Sequence, residues 1–150
     1  MKRLGIALVF VVGVGVMALG LCGTLVSLQP AARAEEEADP VTGAAQAWLA
    51  LTDQGEYAQS WAEAASYFRT AAPQEQWVQS ITAARSPLGA VVSRTLRSAE
   101  SATSLPGAPD GEYVVMQYDT TFEHKQSAVE TITPMRDTDG IWRVAGYYIK

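Results

Sequence analysis

Few side chains in this 150-residue sequence could do chemistry, and the first to consider are carboxylates on predicted strands. A carboxylate whose pKa is raised by a pocket can act as a general base. Asp119 falls among polar neighbours on its strand, which favours solvent. Glu130 shares a strand face with Ala128 and Ile132, so it is the better candidate for a partly buried group. An ion pair is the competing interpretation for both carboxylates, and we assign no catalytic residue.

The single histidine and the single cysteine leave little room for other kinds of site. His124 lies in a polar turn, where a surface residue is the usual interpretation. Cys22 lies in an apolar run and follows a bulky residue, so it is interpreted as an apolar side chain and not as a lipid attachment site. The segment 137–140 is similar to the start of a calcium loop, but the twelfth ligand position would be Gly146, so it is predicted to be a turn. No metal site and no cofactor are predicted.

Residues 1–34 are predicted to be a targeting segment. Lys2 and Arg3 precede an uncharged apolar run over residues 4–28, and the segment 32–34 is a small-x-small site for signal peptidase. This pattern predicts a periplasmic or secreted protein that is cleaved after Ala34. Because the run is 25 residues long and about 20 apolar residues span a bilayer, the alternative is an uncleaved anchor in the inner membrane with the domain outside the cytoplasm.

The chain after Ala34 is acidic. Three of the 11 basic residues lie at or before this point, which leaves eight against all 16 acidic residues, a formal charge of −8. Such a surface repels phosphate, so nucleic acid and anionic lipid headgroups are not expected partners, and membrane contact is expected only through an uncleaved N-terminal segment. Residues 35–39 are predicted to be a solvated acidic tether, and residues 40–150 a single domain.

Three helices are predicted between residues 40 and 89. The first runs from Pro40 to Gln54, the second follows from Tyr57 through Phe68, and the third begins at Pro73. Each carries one tryptophan on its apolar stripe, and these are Trp48, Trp61 and Trp77. Packing into the core is predicted for them, with an aromatic platform for a ligand as the alternative.

Four antiparallel strands are predicted in the second half of the chain. They lie within residues 91–103, 112–122, 127–133 and 141–149, with Pro134 ending regular pairing or making a bulge. Arg94 and Arg97 are expected to point towards water on an edge strand. The predicted fold class is α+β, with three N-terminal helices packed on a curved antiparallel four-stranded sheet.

The alternation of apolar residues predicts which faces of the strands are buried. On the second strand Val114, Met116, Tyr118 and Phe122 share the face that should meet the helices. The last strand is apolar on both faces, with one set of Trp142, Val144 and Tyr148 and another of Ile141, Ala145, Tyr147 and Ile149. A second cover is therefore expected, which could be a loop, the tether or another copy of the sheet, and a homodimer through the sheet face is one prediction.

Several segments carry a resemblance to a known family, and they are residues 47–61, 77–78, 87–89, 104–107, 113–115, 122–125, 130–135 and 142–149. Together they resemble the bacterial domain-of-unknown-function family numbered 4019. The resemblance implies an exported or membrane-tethered bacterial protein, and it implies no activity. The order of the elements also resembles a known fold: helices, with a break at Gly55-Glu56-Tyr57, precede a meander that ends in Trp142-Arg143-Val144. This order is similar to the nuclear-transport-factor-2-like fold, a cystatin-like cone in which helices pack into a curved sheet.

The second resemblance implies that the binding site is the pocket between the sheet and the helices. The candidate ligand-binding residues are Tyr118, Phe122, His124 and Glu130. The predicted function is a non-enzymatic binding or protein-interaction module whose partner is an unknown small ligand or an envelope protein. The alternative is a small enzyme, an isomerase or hydrolase, that uses a pocket carboxylate on an apolar ligand.

Overall fold

The computed structural model describes residues 39–150. The predicted targeting segment, Cys22 and the tether before Asp39 lie outside the described residues. Among residues 39–150, every helix is too short or too polar to cross a bilayer.

Four helices precede four strands in the described chain. The helices are α1 (Pro40–Asp53), α2 (Tyr57–Ala62), α3 (Ser66–Ala71) and α4 (Gln74–Arg85). The strands are β1 (Val91–Ala102), β2 (Tyr113–Phe122), β3 (Lys125–Arg136) and β4 (Trp142–Ile149). They form one antiparallel sheet in the order β1-β2-β3-β4. The predicted α+β class with a four-stranded antiparallel sheet is confirmed.

Helix α1 begins and ends at residues suited to those positions. Asp39 is its N-cap, and one carboxylate oxygen accepts a hydrogen bond from the Thr42 amide at 3.3 Å. Pro40 follows at the first helical position, where a missing N–H removes no helical bond. Gly55, with φ of 78°, supplies the left-handed backbone just beyond the C-terminal end.

The second predicted helix is in fact two short helices, so the structure has four helices where the sequence predicted three. The helix breaks at Ala64 and Ala65, which are both fully buried. The amide of Ala65 donates to the carbonyl of Val144 at 2.9 Å, and that bond to an edge strand replaces a helical one. Only small side chains allow the backbone to approach the sheet so closely, which explains why the alanine pair stands here.

The helix-facing side of the sheet holds the main core. Its largest buried residues are Trp48, Leu49, Phe68, Trp77, Ile81, Met116, Tyr118, Ile132 and Val144. Trp48 and Trp77 are 3 % and 8 % exposed, their ring centroids lie 5.7 Å apart, and both indole N–H groups donate to Ser60. Trp61 is half-buried, and its indole donates to the carbonyl of Ala72. The tryptophans therefore pack in or against the core, as predicted.

A β-bulge changes which residues of β4 face the helices. Thr133 pairs with Gly146, whereas Pro134 pairs with Val144, so one residue of β4 is extra. The predicted bulge at Pro134 is confirmed, but the predicted faces of β4 are wrong. Beyond the bulge Tyr147 lies on the same side as Val144, with its ring 5.2 Å from that of Trp48, and Tyr148 is the exposed one.

A smaller cluster lies on the other face of the sheet. Tyr113, Met135 and Ala65 are buried there beneath the loop between β1 and β2. The hydroxyl of Tyr113 donates to the carbonyl of Pro109, and this bond fixes the loop over the cluster. A loop therefore covers one end of the second face, and association of two copies through this face stays a prediction.

Candidate functional site

The carboxylate of Glu130 is fully buried and hydrogen-bonded on both oxygens. Oε1 accepts from Nη1 of Arg85 at 3.1 Å, from Nη2 of Arg94 at 3.1 Å and from the hydroxyl of Tyr147. Oε2 accepts from Nε of Arg94 and from the hydroxyl of Thr120, both at 2.6 Å. A carboxylate offers about four lone-pair sites, so these five contacts use its whole accepting capacity. The predicted burial of Glu130 is confirmed.

A second carboxylate completes the charge balance of this cluster. Asp53, the last residue of α1, accepts from Arg85 at 2.6 Å and from Arg94 at 2.7 and 2.9 Å. Burial raises the pKa of Asp53, but hydrogen bonds and charge from Arg94 and then Arg85 outweigh it and lower the pKa overall. Two arginines and two carboxylates thus join the ends of α1 and α4 to strands β1 and β3, and we call these four residues the charge cluster.

The structure places Arg94 differently from the sequence prediction. Its side chain is 16 % exposed, and it points over the sheet to both carboxylates instead of into water. The prediction was wrong because Arg94 pairs with Thr120, which lies on the helix-facing side of β2. Arg97 does point into water and meets the exposed Asp119 at 3.5 Å. The predicted solvent positions of Arg97 and of Asp119 are therefore confirmed.

Two of the predicted ligand-binding residues lie beside Glu130 and one does not. Tyr118 is the direct cross-strand neighbour of Glu130, and Phe122 is buried with its ring centroid 5.0 Å from the Arg85 guanidinium. The Tyr118 hydroxyl is buried with no hydrogen-bond partner in the described part of the chain, and burial raises its pKa. His124 is exposed in the turn between β2 and β3.

The polar residues around Glu130 were not predicted to lie near it. Its carboxylate accepts from Arg85, Arg94, Thr120 and Tyr147, and Asp53 accepts from the same two arginines. One signal was available, because Arg85 continues the helical spacing of Trp77 and Ile81 on α4 and is 5 % exposed. An arginine on a buried stripe requires a buried anion, and Glu130 was the candidate already identified.

Both oxygens of the Glu130 carboxylate are used within the charge cluster and its hydroxyl neighbours. A general base needs a lone pair within hydrogen-bond reach of a substrate proton. Glu130 is fully buried, and its oxygens are occupied by two guanidinium groups and two hydroxyls. It therefore has no free lone pair within reach of a substrate. Residues 39–150 also contain no group of three or more His, Cys, Asp or Glu side chains placed to hold a metal ion.

An open cleft lies on the same face of the sheet, beside the N-terminal half of α1. Its volume is about 660 Å³. It is lined by Asp39, Val41, Thr42, Ala99, Ser101, Ala102, Thr103, Glu112, Tyr113, Val114, Met116 and Trp142. We call it the α1 cleft. A smaller cleft of about 400 Å³ lies against the opposite side of α1, and Trp142 lines both. None of the four predicted ligand-binding residues lines either cleft.

Comparison with known proteins identifies a family and no characterised relative. No curated protein matches the sequence. The model of one family, described as a protein of unknown function (DUF4019), matches residues 44–147. This match does not test the resemblance to the nuclear-transport-factor-2-like fold, which stays a prediction. Because the matched residues make up most of the chain and run from α1 to β4, the protein belongs to the DUF4019 family.

Proposed function

We propose that this protein is a non-catalytic binding domain that works outside the cytoplasm and takes a small apolar ligand in the α1 cleft. The observation that carries the proposal is a contrast between two regions of one sheet face. The charge cluster is closed and fully hydrogen-bonded, whereas the α1 cleft is open and lined mainly by apolar side chains. A binding domain requires the second kind of region and not a reactive group.

The dimensions and lining of the α1 cleft suit a small molecule. Ligand pockets generally have volumes of roughly 300–1,000 Å³ and are mostly apolar with a few polar groups, and this cleft has about 660 Å³. Val41, Val114, Met116 and Trp142 provide apolar contact surface, and the hydroxyl of Ser101 is a polar group that could orient a ligand. The indole groups of Trp48 and Trp77 are hydrogen-bonded in the core, and neither lines this cleft.

The alternative function, a pocket-carboxylate enzyme, loses its principal candidate. Glu130 was the best candidate for a general base, and its oxygens are held by Arg85, Arg94, Thr120 and Tyr147. Freeing an oxygen for a substrate would remove a hydrogen bond from a largely buried guanidinium group and leave it to Asp53, which costs stability. The geometry therefore favours binding over catalysis.

The proposed location rests on the sequence of the first 34 residues. Their basic start, apolar run and small-x-small site are the parts of an export signal. The domain then reaches the periplasm or the medium, or stays tethered to the inner membrane by the uncleaved segment. Fractionation of cells that make the full chain, with immunodetection, distinguishes these locations, and a domain found in the cytoplasm would refute this part of the proposal.

The binding proposal is tested by nuclear magnetic resonance with ¹³C-methyl methionine in the full chain. Met116 lines the α1 cleft, whereas Met135 lies in the cluster on the other face. We expect a neutral amphiphile, decyl glucoside below its micelle concentration, to shift the methyl signal of Met116 in a saturable way. The signal of Met135 should not move.

Two serines on one strand provide matched variants. Ser101 lines the cleft and pairs with Val114, while Ser98 pairs with Gln117 on the opposite face. Ser101→Phe should fill the cleft and abolish the saturable shift, whereas Ser98→Phe adds the same bulk outside it and should leave the shift intact. Equal titrations of both variants, or no shift of Met116 in the unmodified chain, would refute the proposed site.

A further inference from the structure

We propose that the ligand of the α1 cleft is an amphiphilic cation, a small molecule with an apolar body and one positively charged group. This inference rests on the proposed binding function and adds the chemical class of the ligand. It comes from the charges and the aromatic group that line the cleft, which favour a cation over a neutral or an anionic molecule of the same apolar size.

The lining of the cleft is acidic as well as apolar. Within residues 39–150, Asp39 and Glu112 are the only charged residues that line it, and no arginine or lysine of this part of the chain does so. Apolar walls around charges of one sign concentrate the electrostatic field in a cleft and raise the local concentration of the opposite ion. The formal charge of −8 on residues 35–150 acts in the same direction. An anionic amphiphile meets repulsion from both sources.

Both carboxylates have accepting capacity for a ligand. The hydrogen bonds from Thr42 to Asp39 are 3.3 Å long and end on a single oxygen, Oδ2. Glu112 meets Arg136 at 3.4 Å, and these two side chains are 59 % and 51 % exposed. Exposed ion pairs of this kind contribute little stability, so Glu112 can exchange its partner at small cost. Neither carboxylate has all its accepting positions occupied by protein donors, as Glu130 has.

Trp142 supplies a second attraction for a positive group. It lines the cleft together with Tyr113. The face of an indole ring attracts ammonium groups, and tryptophan does so best among the aromatic side chains. Carboxylates and an aromatic surface around one apolar cleft are the combination that recognises alkylammonium groups. A neutral ligand would gain no charge–charge attraction from the carboxylates.

The test compares three decyl compounds of different charge at concentrations below their micelle limits. They are decyltrimethylammonium, decyl glucoside and decanoate, and each is titrated into the full chain while the Met116 methyl signal is followed. We expect the cation to bind about tenfold more tightly than the neutral glucoside, and the anion to bind more weakly than both. Raising the salt concentration should weaken binding of the cation and leave the glucoside unaffected.

Charge-removing variants locate the effect in the cleft. Asp39→Asn combined with Glu112→Gln removes both lining charges, and asparagine preserves the N-cap of α1. This double variant should lose most of the preference for the cation over the glucoside and keep only the part that Trp142 supplies. The control is Glu100→Gln combined with Asp119→Asn, which removes the same charge from exposed positions on the other face of the sheet. The control should retain the tenfold preference.

The outcomes separate failure of this inference from failure of the proposed function. If no decyl compound moves the Met116 signal, the cleft is not a binding site and both fall. If all three compounds bind with similar affinity, the binding function stands and the cationic class is wrong. If both double variants lose the preference equally, the effect belongs to the net charge of the protein and not to the cleft, which also overturns the inference.

Discussion

Replacing Glu130 by glutamine is the most direct test of the structural role assigned to the charge cluster. The change keeps the shape of the side chain but removes its charge and turns one acceptor oxygen into an N–H₂ donor. That donor must then face the N–H groups of Arg85 and Arg94, which now donate to the carboxylate. Asp53 would be the only remaining anion for two guanidinium groups that are 5 % and 16 % exposed.

The expected loss of stability is large. Breaking a buried ion pair by removing one partner costs about 3–5 kcal/mol because it leaves an uncompensated buried charge. A domain of this size has a total unfolding free energy of roughly 5–15 kcal/mol, so the loss is a substantial fraction of it. We expect Glu130→Gln to lower the melting temperature by roughly 10–20 °C. Urea unfolding of the full chain, followed by tryptophan fluorescence, measures the free energy.

The control for this experiment is the same chemical change at a surface pair. Asp119 meets Arg97 at 3.5 Å, and both side chains are more than half exposed. Asp119→Asn should therefore cost less than about 1 kcal/mol. If Glu130→Gln costs no more than Asp119→Asn, the cluster does not stabilise the fold, and the argument that commits this carboxylate to structure and not to catalysis fails.

Three further predictions concern single groups. Tyr147→Phe removes a hydroxyl that bonds the buried Glu130 carboxylate, and we expect it to lower the unfolding free energy by about 1–2 kcal/mol in urea titrations. Asp137 has its pKa lowered to about 2, mainly by its hydrogen bond from Ser66. Because the unfolded pKa is 3.8, the contribution of Asp137 to stability is complete only well above pH 3.8 and is lost as the pH falls towards 2. Asp137→Asn should therefore flatten the dependence of melting temperature on pH in that window. Gly89→Ala would place a Cβ 2.7 Å from a side-chain oxygen at φ of 76°, whereas the Cβ of Gly55→Ala, at φ of 78°, meets nothing within 4 Å. We expect Gly89→Ala to lower the unfolding free energy by at least about 1 kcal/mol more than Gly55→Ala does. Equal melting temperatures of the two variants would contradict this prediction.

Most of the sheet could be predicted because its signals are local. Alternating apolar residues and turn residues between them mark the four strands, and Pro134 marks the bulge. The faces of β4 could not be predicted, because a bulge interrupts the alternation and its exact position depends on pairing with β3. The helix break at Ala64 and Ala65 was missed for a similar reason, since it is set by a bond to Val144 across the fold.

The site shows the same division between local and distant information. The period-2 pattern of β3 was enough to indicate that Glu130 points inward. Its partners come from α4, β1, β2 and β4, and no spacing within one segment reveals that they converge. The position of the Arg94 side chain was predicted wrongly because an arginine on an edge strand can have either of two roles. It can protect the edge from pairing with another strand, or it can pair with a buried anion. Only the register of β1 against β2 decides between them.

The up-and-down order of the four strands has a consequence for how the chain folds. Every strand pairs with the strand next to it in sequence, so each pairing closes a short loop and loses little chain entropy. The β2–β3 hairpin, with only Glu123 and His124 between its strands, can form before any helix is in place. At the proposed location outside the cytoplasm, the chain would have to reach its final state without chaperones that consume ATP. Such local topology shortens the time during which its apolar strands are exposed to aggregation.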